Sequence, residues 1–489
     1  MKDCRTVTKH WAKQLTSVAA MTLLLLSSDS ALADESTLTE QQASHALERA
    51  VSFFHTDVAA EGGYLWRYSA DLEKREGEGK ADDQTVWVQP PGTPTVGQAL
   101  LHAYRMTKDP LNLDAARDAA LALVRGQLRS GGWDYRIQFD DRRKGWAYRT
   151  DPERDKQRNV STLDDNTTQA ATRFLMDVDQ TLEFEDGAIH ESVLFALNGL
   201  LDVQYPNGAW PQRFTAPPDP ASFPVMKARY PETWSRTHPN VDYRRFYTFN
   251  DNTIADTIEL MFDAADVYDD DRYRQAAIKA ADFILLAQMP DPQPAWAQQY
   301  NAEMEPAWAR KFEPASITGG ESQGIMRALI AVYRRTGDAK YLDAADRALQ
   351  YLRTCVLPDG QMARFYELHT NTPLYFTIDY QLTYDNSNMP THYSFKFNHS
   401  LDRIAQDLAK ARDEPAPIPP TQPNAQKRTD ALTERATAAV NALDVRGAWV
   451  EGGKLKYHGD DDTTSRVIDC ATFNRNVRTL ADFIAASTP

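Results

Sequence analysis

The chain has 489 residues, 42% of them hydrophobic and 25% charged, with a formal net charge of −15. That is ample for a large core, in one big domain or two. The acidic balance argues against a nucleic-acid partner held by broad phosphate neutralisation. It leaves room for a polyanionic substrate wherever arginines cluster in a cleft or carboxylates there hold divalent cations.

At the N-terminus, Lys2, Arg5, Lys9 and Lys13 precede an apolar run from Val18 to Leu26 and the small-residue site Ala31-Leu32-Ala33. This pattern is a cleaved secretory signal over residues 1–33, which sends the mature chain to the periplasm or outside the cell. The run is too short to span a bilayer, and nothing later approaches the roughly 20 apolar residues a span needs. Cleavage removes Cys4 and leaves Cys355 and Cys470, enough for one disulfide but not for a disulfide framework.

From Glu40 onward, apolar spacing predicts helices over Pro94–Met106, Leu113–Leu128, Thr162–Val178, Ala188–Gln204, Asn250–Tyr268, Tyr273–Gln288, Ser322–Thr336 and Tyr341–Thr354. Further helices are expected at Leu401–Arg412, Arg428–Ala442 and near Phe473–Ala486, with a short hairpin at Leu374–Tyr384. Between them the loops repeat. Gly62-Gly-Tyr-Leu-Trp-Arg67, Gly131-Gly-Trp-Asp-Tyr-Arg136 and Gly208-Ala-Trp-Pro-Gln-Arg213 share a glycine, an aromatic and an arginine, and Gly360-Gln-Met-Ala-Arg364 is a looser copy. Gln127 and Gln204 stand six residues before Trp133 and Trp210, and a missing copy falls near Gln288–Trp296. The period of roughly 75 residues holds two helices and one loop. The expected fold is therefore mainly α, an α/α toroid of helical hairpins whose long loops meet at one cleft. Its parts are the signal (1–33), N-terminal helical repeats (34–158), a catalytic region (159–411), a proline-rich linker (412–428) and a C-terminal helical extension (429–489).

Chemistry concentrates in four stretches. In YPNGAWPQRF, Trp210 is either a core residue or a sugar-stacking face, and Arg213 can fork onto a carboxylate. In YTFNDNTIAD, Asp251 reads as a helix N-cap or as a ligand for a hard cation. Asp165-Asn-Thr repeats that pattern. The long loop from Gln293 to Gly324 carries Trp296, Tyr300, Trp308 and Phe312, too many rings for a disordered segment, together with Arg310 and Glu321. The fourth stretch, ARFYELHTN, holds Arg364. No Cys/His metal spacing, HExxH, GxSxG or phosphate loop occurs.

In order and spacing, YPNGAWPQRF, YTFNDNTIADTIELM, PAWAQQYNAEMEPAWARKFEPASITGGES and ARFYELHTNTPLYF resemble the signature stretches of polysaccharide lyase family 10, the secreted pectate lyases. The resemblance spans about Asn159 to Tyr380. It implies calcium-assisted anti β-elimination of polygalacturonate by a monomeric enzyme, with Arg310 matching the arginine base, Arg364 the arginine on the substrate carboxylate and Asp251 the calcium-linked aspartate. Arg213, Trp210, Trp308 and Glu321 are the further substrate-binding candidates. Where family members commonly carry an aspartate this chain has Asn301, which still offers calcium a carbonyl oxygen but no charge. An arginine base needs desolvation and neighbouring positive charge to release its proton. Two rival readings remain: a toroid glycoside hydrolase using Asp165 with Asp251 or Glu321, and a non-catalytic uronate-glycan-binding protein.

Overall fold

The computed structural model describes residues 38–414, 416–417 and 427–486. The signal segment and most of the proline-rich stretch lie outside the described residues. The helices among them are α1 (Glu40–Phe53), α2 (Thr93–Thr107), α3 (Pro110–Gly126), α4 (Thr167–Thr181), α5 (Gly187–Asp202), α6 (Thr253–Tyr268), α7 (Asp271–Ala287), α8 (Gly319–Thr336), α9 (Lys340–Arg353), α10 (Leu401–Asp413), α11 (Asp430–Ala442) and α12 (Cys470–Ala485). Among the described residues no helix is long and apolar enough to cross a membrane.

The helices pack as two concentric rows. The inner row runs α12, α2, α4, α6, α8 and α10, each against the next, and the outer row runs α11, α1, α3, α5, α7 and α9. Consecutive inner and outer helices form antiparallel hairpins, the arrangement of an α/α toroid. Outer helices show why the rows sit close: α3 buries Ala115, Ala116, Ala119, Ala120 and Ala122, and α7 buries Ala276, Ala277, Ala280 and Ala281. Small side chains at helix spacing let axes approach toward the lower end of the usual range of roughly 8–10 Å. The segment 429–489, expected as an extension, instead supplies α11 and α12, and α12 packs between α1 and α2.

One end of each hairpin is tied by a short antiparallel strand pair. The strand entering α4 (Ser161–Thr162) pairs with the strand leaving α5 (Arg213–Phe214), and Tyr247–Thr248 before α6 pairs with Gln299–Tyr300 after α7. Ile317–Thr318 before α8 likewise pairs with Phe365–Tyr366 after α9. The repeated loops therefore emerge together, at the N-terminal ends of the inner helices. The hairpin expected at Leu374–Tyr384 is present, with Pro373–Phe376 paired to Leu382–Thr383.

The loop repeat has a physical basis in the last turn of the outer helices. The indole N–H groups of Trp133, Trp210 and Trp296 donate to the carbonyls of Leu123, Leu200 and Ile284, each at 2.8 Å. Those carbonyls belong to the final turns of α3, α5 and α7, where helical partners have run out. Gln127, Gln204 and Gln288 then reach the next outer helix, donating to the carbonyls of Ser192, Ala276 and Ala344 at 2.8, 2.9 and 2.8 Å. Thus Gln288 and Trp296 form the missing copy. A further copy, Gly447-Ala-Trp449, went unread in the sequence; its indole donates to Ala439 of α11 at 2.8 Å. Gly208 has φ +99°, and a Cβ there would lie 2.1 Å from the Lys279 carbonyl oxygen, so only glycine lets the turn rest on α7.

Trp210 is fully buried, so the sugar-stacking reading is replaced by a core one. Trp210→Ala is expected to destabilise the protein by about 3–5 kcal/mol through the cavity it leaves. Urea unfolding measures this, and a loss below 1 kcal/mol would show that the indole–carbonyl tie is dispensable.

Candidate active site

Two inner helices begin in the same unusual way. Asp165 and Asn166 before α4, and Asp251 and Asn252 before α6, all have φ between +48° and +57°. Left-handed backbone is uncommon outside glycine and is best tolerated by Asp and Asn. Neither helix receives a side-chain cap from these residues, so the N-cap reading of Asp251 is wrong. It also shortens the two predicted helices, which start at Thr167 and Thr253 rather than Thr162 and Asn250. The turn spends backbone strain to bring carboxylates together: oxygens of Asp164, Asp165 and Asp251 lie within 4.8 Å of one another.

Neutral donors hold part of this cluster. Gln89 donates to Asp165 at 2.8 Å, and Gln212 and the Tyr135 hydroxyl donate to Asp164 at 2.9 and 2.6 Å. Asn250 donates to Asp251. Among these four donors there is no positive charge. Burial of its carboxyl group, then the charges of Asp164 and Asp165, push Asp251 up to about 7, although the residue lies open at the cleft mouth. Burial and the Asp164 and Glu78 charges push Asp165 up to about 6. Three carboxylate oxygens without an ion-pair partner among the described residues suit a hard divalent cation such as calcium.

Beside them stand two arginines, each locked to its own carboxylate. Arg310 forks onto Glu313, with Nε to Oε2 at 2.8 Å and Nη2 to Oε1. Arg364 donates to Glu321 at 2.7 Å. Tyr393 lies between the pairs: its hydroxyl donates to Glu313 at 3.0 Å, and both guanidinium groups sit over its ring, at 5.5 and 4.7 Å from the centroid. Gln298 joins the pairs to the acidic turn, donating to Glu313 at 2.8 Å and to Asn250 at 2.9 Å. Burial pulls the Arg310 guanidinium down, but the hydrogen bonds and charge of Glu313 outweigh it and hold Arg310 above its ordinary range. The neighbouring positive charge expected for an arginine base is not what the structure supplies; its immediate partner is a carboxylate.

The strand pairing explains these positions. Tyr135, Gln212, Gln298 and Arg364 are equivalent residues, each giving its carbonyl to the residue that leads into an inner helix: Val88, Leu163, Phe249 and Gly319. Arg364 therefore matches the glutamines, one position before the arginine of the other loops. Of the remaining repeat arginines, Arg67 pairs with Asp469 at 2.7 Å and Arg136 is exposed, while Arg213 lies over Tyr135 and donates to its hydroxyl at 3.2 Å.

Several expected site residues take other roles. Asn301 Oδ1 accepts from the backbone N–H groups of Glu303 and Glu305 at 3.1 and 2.9 Å, so it is committed to its own turn. With Tyr300 opposite Tyr247, Asn301 also lies past the end of the strand pair away from Asp251. The oxygens beside Asp251 come from Asp164 and Asp165 instead. Trp308 is buried and donates to the Arg310 carbonyl at 2.9 Å, which positions the arginine and leaves no stacking face. Glu321 orients Arg364, while Thr318 caps α8 by accepting from the Glu321 backbone N–H. Cys355 and Cys470 are both buried free thiols. Asp462, from the acidic GDDD turn, is paired with Lys74. Sequence reasoning missed Asp164, Glu313, Gln298 and Tyr393; Glu313 was within reach, standing at helix-turn spacing from Arg310.

Residues 127–331 match the family model for pectic acid lyase. This agrees with the motif resemblance and marks the segment as a pectic acid lyase region, an enzyme of the polysaccharide lyase kind. No curated protein matches the chain. Among solved structures, it is similar to a family 10 polysaccharide lyase from Cellvibrio cellulosa, at 22% identity over 66% of this chain and 96% of that one, with a TM-score of 0.44. A mutant of a Cellvibrio cellulosa family 10 lyase in complex with trigalacturonic acid matches at 22% identity over 66% and 97%, TM-score 0.44. An α-mannanase of glycoside hydrolase family 76 from Bacteroides thetaiotaomicron matches at 12% identity over 92% and 96%, TM-score 0.40.

The Arg310–Glu313 pair has a pH signature. Burial pushes the Glu313 carboxyl up and Arg310 more than reverses this, leaving it below the ordinary glutamate value of 4.5. The unfolded chain thus takes up the proton first, so Glu313 contributes stability that is full above that value and lost as pH falls through its depressed folded value. Glu313→Gln is expected to lower the thermal midpoint at pH 7, with the deficit shrinking in more acidic solution. An equal deficit at both extremes would assign the loss to packing rather than charge.

Proposed function

We propose that the protein is an exported, monomeric pectate lyase that cleaves polygalacturonate by anti β-elimination with calcium. The observation that carries this is the pairing, in one cleft, of a three-carboxylate cluster with two arginines. A uronate presents a carboxylate at C6 and a weakly acidic proton at C5. Arg364, and Arg213 beside Tyr135, are placed to take substrate carboxylates. Asp164, Asp165 and Asp251 would hold the cation, which when bound neutralises the C6 carboxylate and makes the C5 proton easier to remove.

In the reaction the proton leaves C5, the electron pair forms the C4–C5 double bond, and the C4–O bond breaks. The departing oxygen takes a proton from water. Arg310 is the residue assigned to C5. As it stands Glu313 keeps it charged, so it receives the proton only at alkaline pH and once positive charge has arrived at the carboxylates opposite. In its charged form it also stabilises the negative charge that develops on the carboxylate side.

A second reading has one observation in its favour. Carboxyls at about 6 and about 7 are poised for acid–base work at neutral pH, as a glycoside hydrolase requires. Their oxygens within 4.8 Å, however, are too close for an inverting pair, which needs roughly 6.5–9.5 Å.

Incubation with polygalacturonate and calcium should release unsaturated uronide, seen by its ultraviolet absorbance, and a chelator should stop it. Arg310→Ala should reduce the rate by about 10²–10³-fold. Glu313→Gln removes the charge that holds the guanidinium proton, so the alkaline rise in rate should move to lower pH. Reducing sugar without unsaturated product would replace the lyase by the hydrolase, and Arg310→Ala at the wild-type rate would remove Arg310 from the chemistry. Calcium alone should raise the thermal midpoint, because it binds only the folded cluster. That rise should vanish in Asp165→Asn and Asp251→Asn; its survival in both would place the ion elsewhere.

A further inference from the structure

Arg213 belongs to two places at once. One side of it lies over Tyr135, whose hydroxyl holds Asp164. It also lines a cavity of about 700 Å³ walled by the turns around Tyr205–Phe223 and Asp242–Arg245. The charged residues of this wall are Arg158, Arg213, Arg244 and Arg245 against Asp219 and Asp242. In a chain of net charge −15, this wall is basic.

Two of the four arginines are already neutralised. Arg158 pairs with Asp134 at 2.6 Å and lies over Trp146, and Arg244 forks onto Asp242 at 2.8 Å. Arg213 and Arg245 have no carboxylate partner among the described residues. The Nε of Arg213 is buried without a hydrogen-bond partner, and its guanidinium is held charged despite burial. A half-buried guanidinium without a carboxylate partner among the described residues is open to an anion, and the anion that suits its fork is a carboxylate. Phe223, half-buried with its ring 4.2 Å from that of the buried Tyr205, supplies an apolar face in this cavity. The Tyr205 hydroxyl donates to the Arg245 carbonyl at 2.9 Å, fixing the turn that carries the unpaired arginine.

We propose that this cavity is an accessory subsite that takes the carboxylate of an anionic sugar unit lying beyond the bond being cut, through Arg213 and Arg245. The inference rests on the polyuronate reading of the neighbouring cleft. It adds a length preference: a chain long enough to reach from the carboxylate cluster past Tyr135 gains a second carboxylate contact.

The test is calorimetry with tri- and hexagalacturonate, using the Arg310→Ala chain as a host without turnover. The hexamer is expected to bind about tenfold more tightly than the trimer. Adding Arg245→Ala, an exposed position, should reduce that ratio to about threefold or less and flatten its dependence on salt. A ratio unchanged by Arg245→Ala overturns the subsite, and so does failure of every chain to bind the hexamer. If the wild type makes no unsaturated product yet hexamer binding depends on Arg245, the lyase reading falls while the subsite stands. If product forms and the length ratio ignores Arg245, the outcome is the reverse.

Discussion

The tie between a buried indole and the last turn of an outer helix is the interaction on which the architecture rests. An outer helix runs out of internal partners for its final carbonyls, and a buried indole N–H without an acceptor costs about 1–3 kcal/mol. Four of the repeats solve both problems with one bond, at Trp133, Trp210, Trp296 and Trp449. The bond also fixes where the chain leaves the helix. The next residues then pair with the strand leading into an inner helix, and the side chain following the tryptophan by two, Tyr135, Gln212 or Gln298, is delivered to the cleft. The side chains lining the cleft are thus held by regular backbone pairing, although they stand on loops.

Charge in the cleft is segregated. Arg310 and Arg364 are each paired with a carboxylate, Glu313 and Glu321, whereas the three aspartates accept from amide and hydroxyl donors. The first arrangement is self-contained and orients its guanidinium groups. The second is frustrated: protonation or a cation relieves it. Left-handed backbone at Asp165 and Asp251 maintains the crowding, so the strain and the electrostatic cost are paid at the same residues.

Much of this was legible from the sequence, because helix spacing and the glycine–aromatic loops both report burial, and burial sets the toroid. Asp251, Arg310 and Arg364 were legible through the family motifs. The roles of Trp210 and Trp308 were not, since a tryptophan beside an arginine reads alike whether its ring faces a sugar or the core. Asn301 misled because its oxygen is consumed by a turn, a backbone property with no side-chain signature. Asp165 reads in the sequence as a cap or as half of a hydrolase pair, and Asp164 carries no signal of its own: Asp-Asn-Thr is the ordinary vocabulary of a helix cap, and only the sign of φ turns it into a carboxylate cluster.

The helical ring brings opposite ends of the described chain together. The helix α1 has α12 as a neighbour, with Phe54 stacked on Phe473 at 3.5 Å between centroids. The strand Arg67–Ser69 likewise pairs with Arg466–Asp469. Contacts of this sequence separation are slow to form and cannot be made before the far residues have been synthesised. Until then α1 and α2 expose the faces that α12 will cover. Docking of α12 is therefore a late event in the life of each molecule, and a chain interrupted before residue 470 would carry a nearly complete cleft on a scaffold whose α1 and α2 faces are uncovered.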